Sequence, residues 1–262
     1  MVGVTGTDEK PPTVPATYTD YAEAVENPRF TDWLRECAEP SWTDATEHRF
    51  TRELRADELA DAAFRRYLVQ DYAFLETLVG AFGHAVGDAP TMAAKSRLAD
   101  FLGTLTDDEN DYFERSFDAL GVLESTYRDP DLTPTTAAFR DLLLRATGQG
   151  GYTETLAVLV PAEWVYLTWA TAEDSDDDRP ERFYLAEWVD LHAVPAFAEF
   201  VGWLRAELDR EGAAASERRQ DELAELFCRT VELEVAFFDA AYDAADETSG
   251  GSAANTGGVD SW

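Results

Sequence analysis

Three acids in this sequence stand where an acid is energetically awkward. Along the segment that begins at Asp57, Phe64, Tyr67, Leu68, Asp71, Phe74, Leu75 and Leu78 recur at i, i+3, i+4, i+7 spacing and so share one helix face. Asp71 lies in the middle of that apolar stripe. The segment from Tyr152 carries Leu156, Leu159, Val160, Glu163, Tyr166, Leu167 and Ala170 at the same spacing, with Glu163 as the intruder. A third stripe, Phe227, Val231, Glu234, Phe238 and Ala241, is centred on Glu234. Taking a lone carboxylate out of water costs several kcal/mol unless it is paired or protonated. Acids on the core faces of three long helices therefore point to a shared polar pocket inside a bundle. The competing explanations are pairing of each acid with an arginine, or a helical phase wrong by one residue. His192 falls on the Leu185, Trp188, His192 stripe, where it either faces the same pocket or is a core histidine bonded to a neighbour.

A carboxylic acid in an apolar pocket holds its proton toward neutral pH and can act as an acid, and a second nearby carboxylate can act as a base. Acids and histidine in a bundle also suggest metal, since di-iron bundles use a Glu-x-x-His pair on each of two helices. No such pair lies on an apolar stripe here: Glu187 is five positions before His192, and Glu47 directly precedes His48. No metal and no cofactor are assigned. Neither G-x-S-x-G, a phosphate-cradling G-x-x-x-x-G-K nor a dinucleotide-binding glycine fingerprint occurs. Cys37 and Cys228 form no CxxC pair and cannot build a disulfide framework. The glycine cluster at 148–151 reads as a turn.

The elements that position these acids are helices throughout. Apolar residues recur at helical spacing, no alternating run is bounded by turn signals, and helices are expected at about 18–26, 28–39, 42–52, 57–87, 91–121, 134–147, 152–174, 180–210 and 216–246. Asn27 before Pro28, Asp57, and Thr133 before Pro134 serve as start signals, Gly121 and the glycines at 148–151 as stops, and Pro195 should kink or split its segment. The fold class is all-α, a single-domain bundle over residues 17–246. The Thr-, Pro- and Gly-rich residues 1–16 and the small polar residues 247–262 are expected to be disordered.

Composition narrows the partners. The 262 residues carry 53 Asp and Glu against 21 Lys and Arg, a net charge of −32, and only Lys10 and Lys95 are lysine. Such a surface repels phosphate backbones and anionic lipid, which argues against a nucleic-acid or membrane partner. With 45% hydrophobic and 12% aromatic residues the chain is nevertheless expected to fold. Acid excess with almost no lysine is also what a cytoplasm of molar salt favours, because a Debye length of about 3 Å at 1 M screens the repulsion. A halophilic source is therefore expected. The start has no apolar leader core and no run of 18 apolar residues occurs, so a soluble cytoplasmic protein is expected.

Taken together, several motifs resemble the TenA family of heme-oxygenase-like helical bundles. They are the Gln-Asp pair in YLVQDYAFL at 67–75, His48-Arg49-Phe50 before it, Pro161-Ala162-Glu163-Trp164-Val165-Tyr166, and Glu234 followed by Phe237 and Phe238. Their order and spacing agree over about 28–245. The resemblance implies a homotetramer, or a dimer, that hydrolyses aminopyrimidines in thiamin salvage. It implies that Asp71 bonds the pyrimidine ring and its amino group, that Tyr166 helps position the site, and that Glu234 is the acid/base beside the leaving group. Three pocket tyrosines of the family are matched here by Phe74, Phe139 and His192. Where thiaminase-competent members have a nucleophilic cysteine after the proline, this chain has Ala162 followed by Glu163. The expectation is a cysteine-less branch, from a halophilic archaeon, in which Glu163 and Glu234 form a carboxyl pair. The substrate would be 4-amino-5-aminomethyl-2-methylpyrimidine or its N-formyl form. A non-catalytic pyrimidine-binding or regulatory protein is the alternative, and a metal-dependent oxygenase of the same fold class a third.

Overall fold

The computed structural model describes residues 14–172 and 179–243. The disorder expected at both ends falls almost wholly outside them. In chain order the helices are α1 (Tyr18–Ala24), α2 (Phe30–Cys37), α3 (Ser41–Thr46), α4 (Arg49–Arg55), α5 (Asp61–Asp88), α6 (Met92–Thr104), a π-helical turn (Leu105–Glu109), α7 (Asn110–Leu120), α8 (Glu124–Tyr127), α9 (Pro134–Gln149), α10 (Tyr152–Ala170), α11 (Phe183–Ala193), α12 (Pro195–Ala213) and α13 (Glu217–Ala240). There is no β-strand among the described residues, and the architecture is the expected all-α bundle in one domain.

The bundle is built around α10. Every residue of it from Thr155 to Val165 is buried, which is the signature of a helix enclosed on all sides. It packs against α13, α12, α5, α9 and α11. Around it, α5 turns inward the stripe read from the sequence, with Phe64, Tyr67, Leu68, Asp71, Phe74, Leu75 and Leu78 all buried.

Local chemistry explains most boundaries. The Thr133 hydroxyl accepts from the Thr136 amide at 3.1 Å, and Pro134 opens α9 with the missing N–H that a first turn does not need. Gly121 closes α7 at φ +67°, a left-handed conformation that a Cβ would strain. Gly150, between α9 and α10, is required by space: a Cβ there would lie 2.4 Å from the Glu154 Cβ. Pro195 splits the 180–210 segment, as expected, into α11 and α12.

Other start signals were misread. Asn27 lies at φ 55° and α2 begins only at Phe30, so Asn27 is a bend before the helix and does not cap it. Asp57, at φ 58°, is likewise not a cap. Its carboxylate accepts the Glu181 amide at 2.9 Å and the Arg182 guanidinium at 2.5 Å, tying the approach to α5 to that of α11. The single helix expected over 42–52 is two, divided at His48, whose Nδ1 accepts the Phe50 amide at 3.1 Å and so caps α4. The single helix expected over 91–121 is interrupted by the π-helical turn, and that interruption matters for the site.

Candidate functional site

Helices α5, α10, α11 and α13 and the π turn converge on a narrow crevice, partly open to solvent. Asp71, Glu163 and Glu234, from three different helices, all line it, and Tyr166 and His192 line it with them. The three acids are 7%, 6% and 2% exposed. No lysine or arginine lines the crevice, so the acids are not neutralised by the arginines that the sequence left open as partners. The helical phases are also correct. Ala162 and Glu163 both reach the crevice although adjacent helical residues diverge by about 100°. Just before them Pro161, inside α10, supplies no N–H to the helix ladder.

Burial without cations decides the protonation of the site. Loss of water raises the Asp71 carboxyl to about 7, with the Tyr67 hydroxyl opposing the shift. The same loss, with the charge of Asp71 beside it, raises Glu163 to about 8. Glu234 is driven well above the carboxylate range by burial and then by Asp71 and Glu163. Tyr67 and Tyr166 share a hydrogen bond of 2.7 Å between their hydroxyls, linking α5 to α10 beside these acids. His192 is pushed down to about 4 by burial. Its Nδ1 lies 2.8 Å from the Trp188 carbonyl. A carbonyl only accepts, so Nδ1 carries the proton and Nε2 keeps its lone pair.

The walls are apolar and aromatic. Phe74, Leu75, Leu78, Leu105 and Trp188 complete the lining, and the indole N–H of Trp188 is buried without a hydrogen-bond partner. Phe139 is the one expected site residue that does not line the crevice. It is buried against Phe74, with ring centroids 4.5 Å apart, and supports that ring. Sequence reasoning missed Glu109, which the π turn brings to the crevice. Its carboxyl is raised well above its ordinary range by burial, then by Glu163 and Asp71. No apolar stripe marked it, because its helical phase depends on the π turn. Among the described residues no three His, Cys, Asp or Glu side chains are grouped closely enough to hold a metal ion. No helix among those residues is long and apolar enough to cross a membrane.

Two expectations are corrected. The chain is not cysteine-less: Cys37 on α2 and Cys228 on α13 are both free thiols, half-buried. Neither lines the crevice, and burial pushes the first up to about 12 and the second to about 11. Nor do the relatives support a halophilic archaeal source, since the curated ones are bacterial and fungal.

Those relatives include an aminopyrimidine aminohydrolase of Halalkalibacterium halodurans, 25% identical over 213 residues that cover 80% of this chain and 94% of the relative. Another, of Helicobacter pylori, is 23% identical over 80% of this chain and 97% of its own length. Among solved structures, a TenA homologue from Pyrococcus horikoshii superposes with a TM-score of 0.73 at 24% identity, covering 82% of this chain and 99% of that one. A TenA family transcription regulator from Silicibacter also gives 0.73, at 22% identity, over 81% of this chain and 96% of its own. The model of the TENA/THI-4/PQQC family matches residues 35–244, a span that holds every residue lining the crevice, and the chain belongs to that family.

Proposed function

We propose that the protein is a hydrolase of aminopyrimidines that cleaves a C–N bond by carboxyl acid/base chemistry. The observation that carries this reading is the meeting of Asp71, Glu163 and Glu234 in one aromatic-walled crevice without a cation. Two aminopyrimidine aminohydrolases that match nearly their whole length support it. The flat ring of an aminopyrimidine suits a crevice walled by Phe74 and Trp188. Asp71 bonds the ring and its amino group, with the Tyr67–Tyr166 pair fixing the carboxyl and the ring edge.

The two glutamates divide the proton work by their surroundings. Glu234 is the more deeply buried, and burial with Asp71 and Glu163 beside it holds its proton well above the ordinary carboxylate range, so it is the acid. Glu163, raised to about 8, is the base. Glu163 takes a proton from water as the water oxygen bonds to the exocyclic methylene carbon. The C–N bond breaks, and Glu234 gives its proton to the departing nitrogen, which leaves as ammonia. The products are a hydroxymethylpyrimidine and ammonia, and the site has moved one proton from Glu234 to Glu163.

The test is incubation with 4-amino-5-aminomethyl-2-methylpyrimidine and with its N-formyl form, following ammonia and formate. Turnover of either supports the hydrolase reading. Glu234→Gln is expected to lower kcat by about 10²–10⁴-fold with ligand affinity retained. Binding of both probes without turnover by the wild type would make the protein a pyrimidine binder.

A further inference from the structure

Glu109 enters none of the steps above, yet its surroundings single it out. Of the four acids that line the crevice it alone is half-exposed, while Asp71, Glu163 and Glu234 are buried. The residue is partly exposed while its carboxyl lies among the buried groups of the crevice. The π turn that carries it is the sole interruption between Met92 and Leu120. A π turn places one extra residue in a helix, and such turns recur at functional sites. Here the turn is fixed on both sides. The Thr106 hydroxyl donates to the Leu102 carbonyl at 2.9 Å, and the Tyr72 hydroxyl donates to Asn110 Oδ1 at 2.9 Å, pinning the first residue of α7 to α5.

Glu163 is the acid that bears most strongly on Glu109, followed by Asp71. Glu234 feels Asp71 and Glu163. Glu163 thus shares the crevice with Glu109 and Glu234, and its charge bears on both. The remaining polar groups around the crevice are the Tyr166 hydroxyl from α10, its partner Tyr67 from α5 and the neutral His192 from α11, and no lysine or arginine joins them.

We propose that Glu109 and Glu163 together hold the attacking water in the crevice, as a carboxyl pair with one negative charge between them, with Glu234 as the proton donor. The inference rests on the hydrolytic reading above and adds a second residue at the nucleophile. Two adjacent carboxyls without a cation do not ionise together, so one accepts the proton of the water while the other donates to its oxygen. The atoms balance as before: one O–H proton goes to the ionised member of the pair, the oxygen bonds to carbon, and nitrogen leaves with the proton of Glu234.

Steady-state kinetics of Glu109→Gln on the aminomethylpyrimidine across pH tests this. The expected result is a fall in kcat of about 10- to 100-fold with KM changed less than about threefold. The limb in which activity rises with pH is also expected to move to higher pH, because the ionised carboxyl has lost the proton that its partner shared with it. Glu109→Asp is expected to recover part of the rate. Wild-type kcat in Glu109→Gln overturns the pair, as does a loss of rate with the limb unmoved, which would mark a structural role. Melting temperature serves as the folding control. If Glu109→Gln does not fold, Glu109→Asp carries the test, and wild-type kcat with an unmoved limb overturns the pair. Wild-type protein that turns over neither probe removes the hydrolase reading and the pair with it, whereas an active wild type beside an equally active Glu109→Gln removes the pair alone.

Discussion

His192 is the one basic side chain that lines the crevice, and it is uncharged there. Burial brings its pKa to about 4, and the Trp188 carbonyl holds the proton on Nδ1. Protonation of histidine therefore does not shape activity near neutrality, which is left to the carboxyls. The proposed reaction needs Glu163 ionised and Glu234 protonated. Glu163 loses its proton near pH 8, and burial, then Asp71 and Glu163, hold the Glu234 carboxyl well above its ordinary range. Turnover is thus expected to rise through about pH 8 and to decline where Glu234 ionises. Replacing His192 by Gln should lower kcat/KM by about 10-fold, the order expected for one neutral hydrogen bond in a site, with both limbs left in place. A limb that disappeared with the imidazole would show that histidine, and not Glu163, is the base.

At the scale of the element, the helices that carry Asp71, Glu163 and Glu234 were legible because each acid interrupts a long apolar stripe, and a stripe fixes helical phase without knowledge of what packs on it. Two kinds of feature were not. Asn27 and Asp57 are residues that usually cap, yet both occupy left-handed backbone outside the helices, and the Asp57 carboxylate is taken by Arg182 from a distant segment. The π turn left no trace in periodicity, since Leu98 before it and Tyr112, Phe113 and Phe117 after it each fit a helix locally. What changes is the phase between the two halves, and with it the direction of Glu109. Deleting the exposed Thr106 removes the extra residue and lets α6 and α7 join as one α-helix in register. Far-UV circular dichroism is expected to keep its helical intensity while turnover falls at least 10-fold, the low end of the loss expected for a displaced proton-transfer group. Retained turnover would show that the turn has no part in placing Glu109.

At the scale of the molecule, the same acids set how stability depends on pH. An unfolded aspartate or glutamate titrates near 4, whereas Asp71 and Glu163 titrate at about 7 and about 8 when folded. Between these values the folded state holds more protons. The contribution of both groups is fully present below about pH 4, and it is lost as pH rises through about 7 for Asp71 and about 8 for Glu163. Asp57 and Asp61 act in the opposite sense. They lie against Arg182, titrate below their ordinary value, and lose their contribution as pH falls into the acid range. The melting temperature should therefore be highest in mildly acidic solution, although the activity assigned to the crevice requires alkaline solution. Glu163→Gln separates this effect from repulsion within a chain of net charge −32. At about 1.4 kcal/mol per pKa unit, it should raise the melting temperature on the order of 10 °C at alkaline pH and leave it nearly unchanged at pH values near 4. Glu225→Gln removes the same unit of charge from an exposed position of α13 and should do neither. Equal shifts in the two variants would assign the pH dependence to the surface and not to the buried acids. A rise confined to Glu163→Gln would mean that the folded chain gives up stability to keep an ionisable carboxyl in its core, which a purely structural residue at that position has no reason to require.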